Sequence, residues 1–191
     1  MTIKHVEEMR ITELGDNKVM KQAVDNAYFS ALIENDVKPN YVYDIIIYSL
    51  RAINVCCAFA NYFLYKDYYS TRDMVIMLSI IYYLFCGIDY LVNSIFVKGA
   101  FLIGNLPSGS KYSYAKGFRA ESTCNFGDED YTLHMTATVG EEKVEYVMKK
   151  PVASYFEEDG LLRQDVVAED ASAALEQFRS VLHKAASKKR D

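Results

Sequence analysis

Two long hydrophobic runs, at 45–65 and 74–96, lie next to each other in the middle of the chain, and the short polar segment 66–73 joins them. Each run is long enough to cross a hydrocarbon core about 30 Å thick as a helix, since a helix rises about 1.5 Å per residue. Within such a core the backbone must satisfy its own N–H and C=O groups, which favours helices. The pattern predicts a membrane α-helical hairpin, with two transmembrane helices and both chain ends on the same side.

A pair of buried core helices in a soluble all-α domain is the alternative interpretation of these runs. It is disfavoured because a helix in a soluble domain normally keeps a polar face toward water, and neither run has a clear one. The first run is the weaker candidate span, since it contains Arg51, Asn54 and Asn61.

The segment 1–44 before the hairpin contains one further helical pattern. Apolar side chains recur every three or four residues within 17–34, which predicts an amphipathic helix. A helix of this kind lies along a membrane surface or packs on a protein domain. Its polar face lacks the Lys and Arg residues that are typical of lipid-binding helices, so packing on protein is favoured.

The segment 97–191 after the hairpin contains stretches in which apolar and polar residues alternate, as they do in strands with one buried face. An apolar helical stripe follows near the end of the chain and can cover the sheet. We therefore predict a small cytosolic α+β domain with an antiparallel sheet. The predicted elements are strands at 117–124, 131–138, 144–148 and 161–167, a short helix at 151–156 and a long helix at 168–186.

The distribution of Lys and Arg residues near the runs predicts their orientation, because positive residues favour the cytosolic side of a membrane. The open side of the hairpin has Lys38, Arg51, Lys98, Lys111 and Lys116, whereas the joining segment has Lys66 and Arg72. Both termini are thus expected in the cytosol and 66–73 in the lumen. The segment 1–40 carries charges where a cleavable signal peptide would be apolar, so the first run is expected to act as the insertion signal.

Composition and motifs provide little evidence for catalysis or for ligand binding. The net charge of −5 argues against nucleic acid, which requires a basic surface. Ser108, His134 and Asp128 could form a Ser/His/Asp set, but nothing in their spacing selects them. The loop at 104–112 departs from a phosphate-binding motif, and the acidic run at 157–159 departs from a calcium loop. We predict no catalytic residue, cofactor or metal, and we expect the four cysteines to be packing residues.

Arg51 and Asp89 are charged residues inside the two runs. An ionisable side chain costs roughly 2.5–3.5 kcal/mol in a transmembrane helix on insertion scales, so it usually faces protein or extends to the interface. Since both lie toward the same end of the hairpin, they can form an ion pair with each other. Contact between Asp89 and a partner subunit is an equally good interpretation.

The chain ends with Lys188-Lys189-Arg190-Asp191. Lysines at the third and fourth positions from a cytosolic C-terminus match the dilysine retrieval signal of endoplasmic reticulum membrane proteins. An ordinary basic tail explains the same residues, and the sequence leaves both interpretations open.

Several segments resemble subunit 2 of the eukaryotic signal peptidase complex, in the same order and at similar spacing. The charged turn at 63–73 and the exit from the second run at 96–104 resemble that family, as do Asp130-Tyr-Thr-Leu and the segment 150–165. The likeness extends over nearly the whole chain from about residue 17. Asp89 within the second run and the absence of Trp depart from the family pattern.

The resemblance implies a non-catalytic accessory subunit of a serine-type peptidase complex in the endoplasmic reticulum membrane. Such a subunit supports removal of signal peptides from translocating proteins. Its implied partners are the other signal peptidase subunits, the β subunit of the translocon and membrane lipid. The competing interpretations are a hairpin protein that shapes membrane or acts as an adaptor without a peptidase link, and an enzyme with a membrane anchor.

Overall fold

The chain divides into two units, and the hairpin is one of them. It comprises Asn40–Gly99, while Met1–Pro39 folds together with Ala100–Asp191. The computed structural model describes residues 10–11, 16–106, 115–125 and 129–187, apart from the side chains of residues 67 and 68. In chain order the elements are α1 (Asn17–Glu34), β1 (Lys38–Pro39), α2 (Val42–Leu64), α3 (Tyr68–Val92), β2 (Ala100–Asn105), β3 (Ala115–Thr123), β4 (Asp130–Val139), β5 (Glu142–Pro151) and α4 (Gln164–Ser187).

The hairpin unit consists of α2 and α3, which a tight turn connects. A 3₁₀ turn at Tyr65–Asp67 follows α2 directly, and a π-helical segment at Asn93–Val97 extends α3. The Thr71 hydroxyl donates a hydrogen bond to the Leu64 carbonyl (2.8 Å), which helps to close the turn. The turn is therefore shorter than the joining segment predicted at 66–73. Polar residues at an exposed helix end can continue the helix, so a polar sequence alone does not mark its boundary.

Few of the described side chains of the hairpin are buried. Ile47, Leu50 and Cys57 are the buried residues of α2, and none of the described side chains of α3 is buried. Both helices are long and apolar enough to cross a membrane. Their apolar surface is thus available to something outside the chain.

The other unit contains a five-stranded antiparallel sheet in the order β1-β2-β3-β4-β5. The β4–β5 hairpin pairs Val139 with Glu142, and Gly140 takes a positive φ of 66° in the turn. The alternating apolar residues of β4 face α1 and α4, which pack on one side of the sheet. Its largest fully buried side chains include Tyr28, Leu32, Phe118, Tyr131, Leu133, Met135, Tyr155 and Phe178.

Helix α1 occupies the residues of the predicted amphipathic helix and packs on protein, as expected. Its apolar stripe contributes Val24, Tyr28 and Leu32 to the core, each with no more than trace exposure. The Asp16 side chain accepts a hydrogen bond from the Lys18 N–H (2.8 Å) and caps the N-terminus of the helix.

The strand predicted at 161–167 is wrong. Leu161 and Leu162 form only isolated bridges, and α4 has already begun at Gln164. The β-branched pair Val166-Val167 favours a strand locally. In the fold, however, Val167 is fully buried four residues before Ala171, on the apolar stripe of α4. Tertiary packing therefore decides the conformation of this segment.

Two strands of the sheet do not appear in the prediction. β1 is only two residues long and pairs with β2, where Lys38 lies opposite Asn105. This pairing joins segments on either side of the whole hairpin, so no local pattern indicates it.

Candidate functional site

A row of polar contacts connects the two helices of the hairpin. Arg51 Nε lies 3.8 Å from Asp89 Oδ2, Asn54 Nδ2 lies 3.5 Å from Cys86 Sγ, and Asn61 Nδ2 lies 3.4 Å from Ser79 Oγ. Successive residues of the row are separated by three and then seven positions on α2. Their partners on α3 have the same separations in the opposite direction. All of these contacts therefore belong to one antiparallel register.

The structure brings the predicted charged residues Arg51 and Asp89 together. At 3.8 Å they lie within ion-pair range but beyond a normal hydrogen bond. Asp89 Oδ1 also accepts a hydrogen bond from Asn93 Nδ2 (3.1 Å). The Arg51 side chain remains 56% exposed, so its other N–H groups can reach a group outside the chain.

The asparagines of the row are only half satisfied. Oδ1 of Asn54 and Oδ1 of Asn61 are buried and have no hydrogen-bond partner in the part of the chain that the structure describes. No disulfide bond joins the four cysteines, all of which lie in the described residues, and Cys57, three residues after Asn54 on α2, is buried. Buried amides on one helix favour a fixed partner position on the other, because each shift in register removes a hydrogen bond.

A second set of polar side chains, centred on Asp25, connects α1 with the sheet. Asp25 is 8% exposed, although it lies on the apolar side of the helix. Its Oδ1 accepts hydrogen bonds from the Ser122 and Tyr131 hydroxyls, the latter at 2.8 Å, and its Oδ2 lies 2.7 Å from Lys21 Nζ. The carboxylate thus links α1 with β3 and β4.

Tyr28, Tyr131 and Tyr155 form a buried tyrosine cluster beside Asp25. The hydroxyls of Tyr28 and Tyr155 are hydrogen-bonded at 2.8 Å, and the rings of Tyr28 and Tyr131 stack with centroids 5.6 Å apart. Burial is the main reason that the pKa of each hydroxyl is raised far above its ordinary value. These contacts fix α1 to the domain.

The N-terminal segment around Arg10 is bound to the acidic turn at 157–160. The Ile11 N–H donates to the Gly160 carbonyl (3.0 Å), and the Arg10 guanidinium pairs with the Asp159 carboxylate. Its hydrogen bond to Arg10 lowers the pKa of Asp159. A Cβ at Gly160 would lie 2.2 Å from the Ile11 carbonyl oxygen, so this close approach requires glycine.

The residues considered for catalysis do not assemble into a site within the described structure. His134 Nδ1 lies 3.1 Å from Glu145 Oε1 on the neighbouring strand. Ser108 and Asp128 lie outside the described residues, as do Lys188 and Lys189 and most of the loop at 104–112. Among the described residues, no group of three or more His, Cys, Asp or Glu side chains is arranged to hold a metal ion.

A comparison with known protein families gives a match, which spans residues of both units. The model of the family described as "Microsomal signal peptidase 25 kDa subunit" matches residues 20–176. The chain belongs to this family. The matched region includes α2 and α3, the whole sheet and much of α4, so the family match covers residues of both units. No curated protein matches the chain in a direct sequence comparison.

Proposed function

We propose that the chain is a non-catalytic accessory subunit of the endoplasmic reticulum signal peptidase complex and that it corresponds to subunit 2. The family match over 20–176 carries this proposal, since it covers both units of the chain. In that role the chain supports signal peptide removal beside the catalytic subunits. The translocon β subunit is the further partner that the resemblance implies.

The exposed apolar surface of α2 and α3 supports a membrane location for the hairpin. A soluble domain would bury these side chains, whereas Ile45, Phe59 and Ile80 are each more than 60% exposed. A hydrocarbon environment covers such a surface without cost. Since a tight turn joins the antiparallel helices α2 and α3, the chain would return to the side of the membrane from which it entered.

The excess of Lys and Arg residues at the open end of the hairpin supports a cytosolic location for the sheet domain. Lys188 and Lys189 would then lie in the cytosol, where a dilysine retrieval signal acts. If they serve in retrieval, replacing both with Ser should let excess, unassembled chain move to the Golgi. Unchanged localisation of overexpressed protein would show an ordinary basic tail.

The surroundings of His134 support an accessory role. Its imidazole contacts the Glu145 carboxylate on the face of the sheet opposite the core, where Glu145 and Val147 of β5 are exposed. Among the described residues, no hydroxyl or thiol is hydrogen-bonded to it, as a nucleophile activated by a histidine would be. Catalysis is therefore expected from another subunit of the complex.

An activity measurement on tagged protein tests this proposal. Material purified through the tag in mild detergent should cleave a signal-peptide substrate, and the chain expressed alone should not. Cleavage by the isolated chain, lost on substitution of a single Ser or His, would contradict the accessory role. Hairpin protein recovered in good yield without any peptidase activity would favour a membrane-shaping or adaptor protein.

A further inference from the structure

Gly87 lies in the interior of α3, where nothing within this chain requires a glycine. Its φ is not in the left-handed region, and a Cβ built on it would meet no atom within 4 Å. Glycine weakens a helix interior relative to alanine because it loses more backbone freedom on folding. A reason for glycine must therefore be sought outside the chain. Close approach of another helix backbone is the usual one in membranes.

Tyr83 lies one helical turn before Gly87 and presents a polar group at a depth where lipid offers no partner. It is 73% exposed and stands at the middle of the candidate span Tyr69–Val97. Its ring lies edge-on to that of Tyr82, and its hydroxyl forms no hydrogen bond with the described residues. The interface lies about 15 Å from the middle of a bilayer core, beyond the reach of a tyrosine side chain.

Gly87 and Tyr83 belong to one continuous face of α3, which we call the Gly87 face. Its residues recur every three or four positions, and all of them are exposed: Ile80, Tyr83, Leu84, Gly87, Tyr90 and Leu91. The residues of α3 that contact α2, such as Ser79, Cys86 and Asp89, lie on another side of the helix. The hairpin therefore forms without using the Gly87 face.

We infer that one transmembrane helix of another signal peptidase subunit packs on the Gly87 face, with a small residue opposite Gly87 and a hydrogen-bond acceptor for the Tyr83 hydroxyl. Lipid chains offer no acceptor and do not need a glycine to approach. The assignment to another subunit depends on the proposed function. A gap at Gly87 and an unpaired donor at Tyr83 are complementary to a helix with a small residue and an exposed carbonyl or hydroxyl oxygen.

Substitutions in the full chain test this contact in endoplasmic reticulum membranes. Gly87→Leu should lower recovery of the neighbouring subunit by about tenfold, because the added side chain overfills a close helix contact. Tyr83→Phe should lower it by about threefold, the typical contribution of one hydrogen bond between transmembrane helices. Ala52→Leu is the matched control, since Ala52 is an exposed small residue on α2, and it should leave recovery unchanged.

Gly87→Leu should leave the hairpin itself folded, because position 87 is exposed and a Cβ added there meets no atom within 4 Å. A photo-activated crosslinker at position 84 provides a second measurement that does not depend on folding of a variant. It should form an adduct with a signal peptidase subunit, identified by its peptides.

The outcomes separate this inference from the proposed function. Full recovery with Gly87→Leu, together with adducts to lipid alone, would show that the bilayer covers the face. Adducts between copies of the chain would assign the face to a homodimer and also contradict the inference. If the unaltered chain recovers no peptidase subunit, the proposed function fails, and the assignment of the partner fails with it.

Discussion

Replacing Asp25 with alanine should destabilise the sheet domain more than replacing any one of its partners, Lys21, Ser122 or Tyr131, with alanine. The carboxylate accepts hydrogen bonds from the buried Ser122 and Tyr131 hydroxyls and is paired with Lys21. A hydrogen bond to a charged group contributes about 1.5–3 kcal/mol, and a buried donor left without its acceptor costs about 1–3 kcal/mol. Since these values are not additive, we expect a loss of about 3–5 kcal/mol, comparable to the removal of one partner from a buried pair.

A loss of that size is large against the total stability of a domain, which is about 5–15 kcal/mol. Two matched substitutions separate the contributions. Asp25→Asn keeps an acceptor for the hydroxyls but removes the charge, and it should cost less than Asp25→Ala. Lys21→Ala removes only the partly exposed cation, whose side chain is 26% exposed, and it should cost about 1 kcal/mol or less.

Hydrogen–deuterium exchange of the full chain in detergent measures these effects where they arise. Asp25→Ala should raise exchange across α1 and β4 and leave exchange in α2 and α3 unchanged. Chemical denaturation gives the corresponding free energy of unfolding. Equal losses for Asp25→Ala and Lys21→Ala would show that the buried hydroxyls do not depend on the carboxylate.

Three further predictions concern the hairpin and the tyrosine cluster. Asp89→Leu and Arg51→Leu should each destabilise the hairpin, and the double variant should recover most of the lost stability. Thermal unfolding of the single and double variants measures this coupling. Additive effects would instead favour contact of Asp89 with a partner. Because burial raises the pKa of the clustered tyrosines, their neutral forms favour the folded state. Stability should therefore fall as the pH rises above about 10, where tyrosines of an unfolded chain ionise; an ultraviolet titration in which every tyrosine ionises before unfolding would contradict this. A glycosylation site in a lengthened 66–73 segment should be modified and one at either terminus should not, and the reverse pattern would invert the topology.

The helices and three of the five strands, β3, β4 and β5, could be predicted because their sequence patterns are local. The apolar stripe of 17–34 has the helical spacing of α1, and residues 131–138 alternate as β4 does. The hairpin follows from two apolar runs with a short connection. Arg51 and Asp89 could be brought near each other on the same basis, because a tight turn leaves few antiparallel registers.

The remaining features depend on contacts between distant parts of the chain. β1 pairs with β2 across the complete hairpin, and the side chain of Asp25 finds its partners on β3 and β4. In the sequence, Asp25 is merely a charged residue that interrupts an apolar stripe. That exception is the one local signal of the buried polar group. Gly87 gives a similar signal, but only the open space around it shows that the chain itself does not need the glycine.

Quantitative mass spectrometry of the complex purified through this chain tests its role as a signal peptidase subunit most directly. The purification should start from endoplasmic reticulum membranes in mild detergent. The affinity tag should be attached to the sheet domain. We expect the catalytic peptidase subunit to be recovered in an amount equal to that of this chain. The peptidase subunit should also be depleted from the unbound fraction. Recovery of the intact hairpin protein with only trace amounts of peptidase subunits would contradict the assignment.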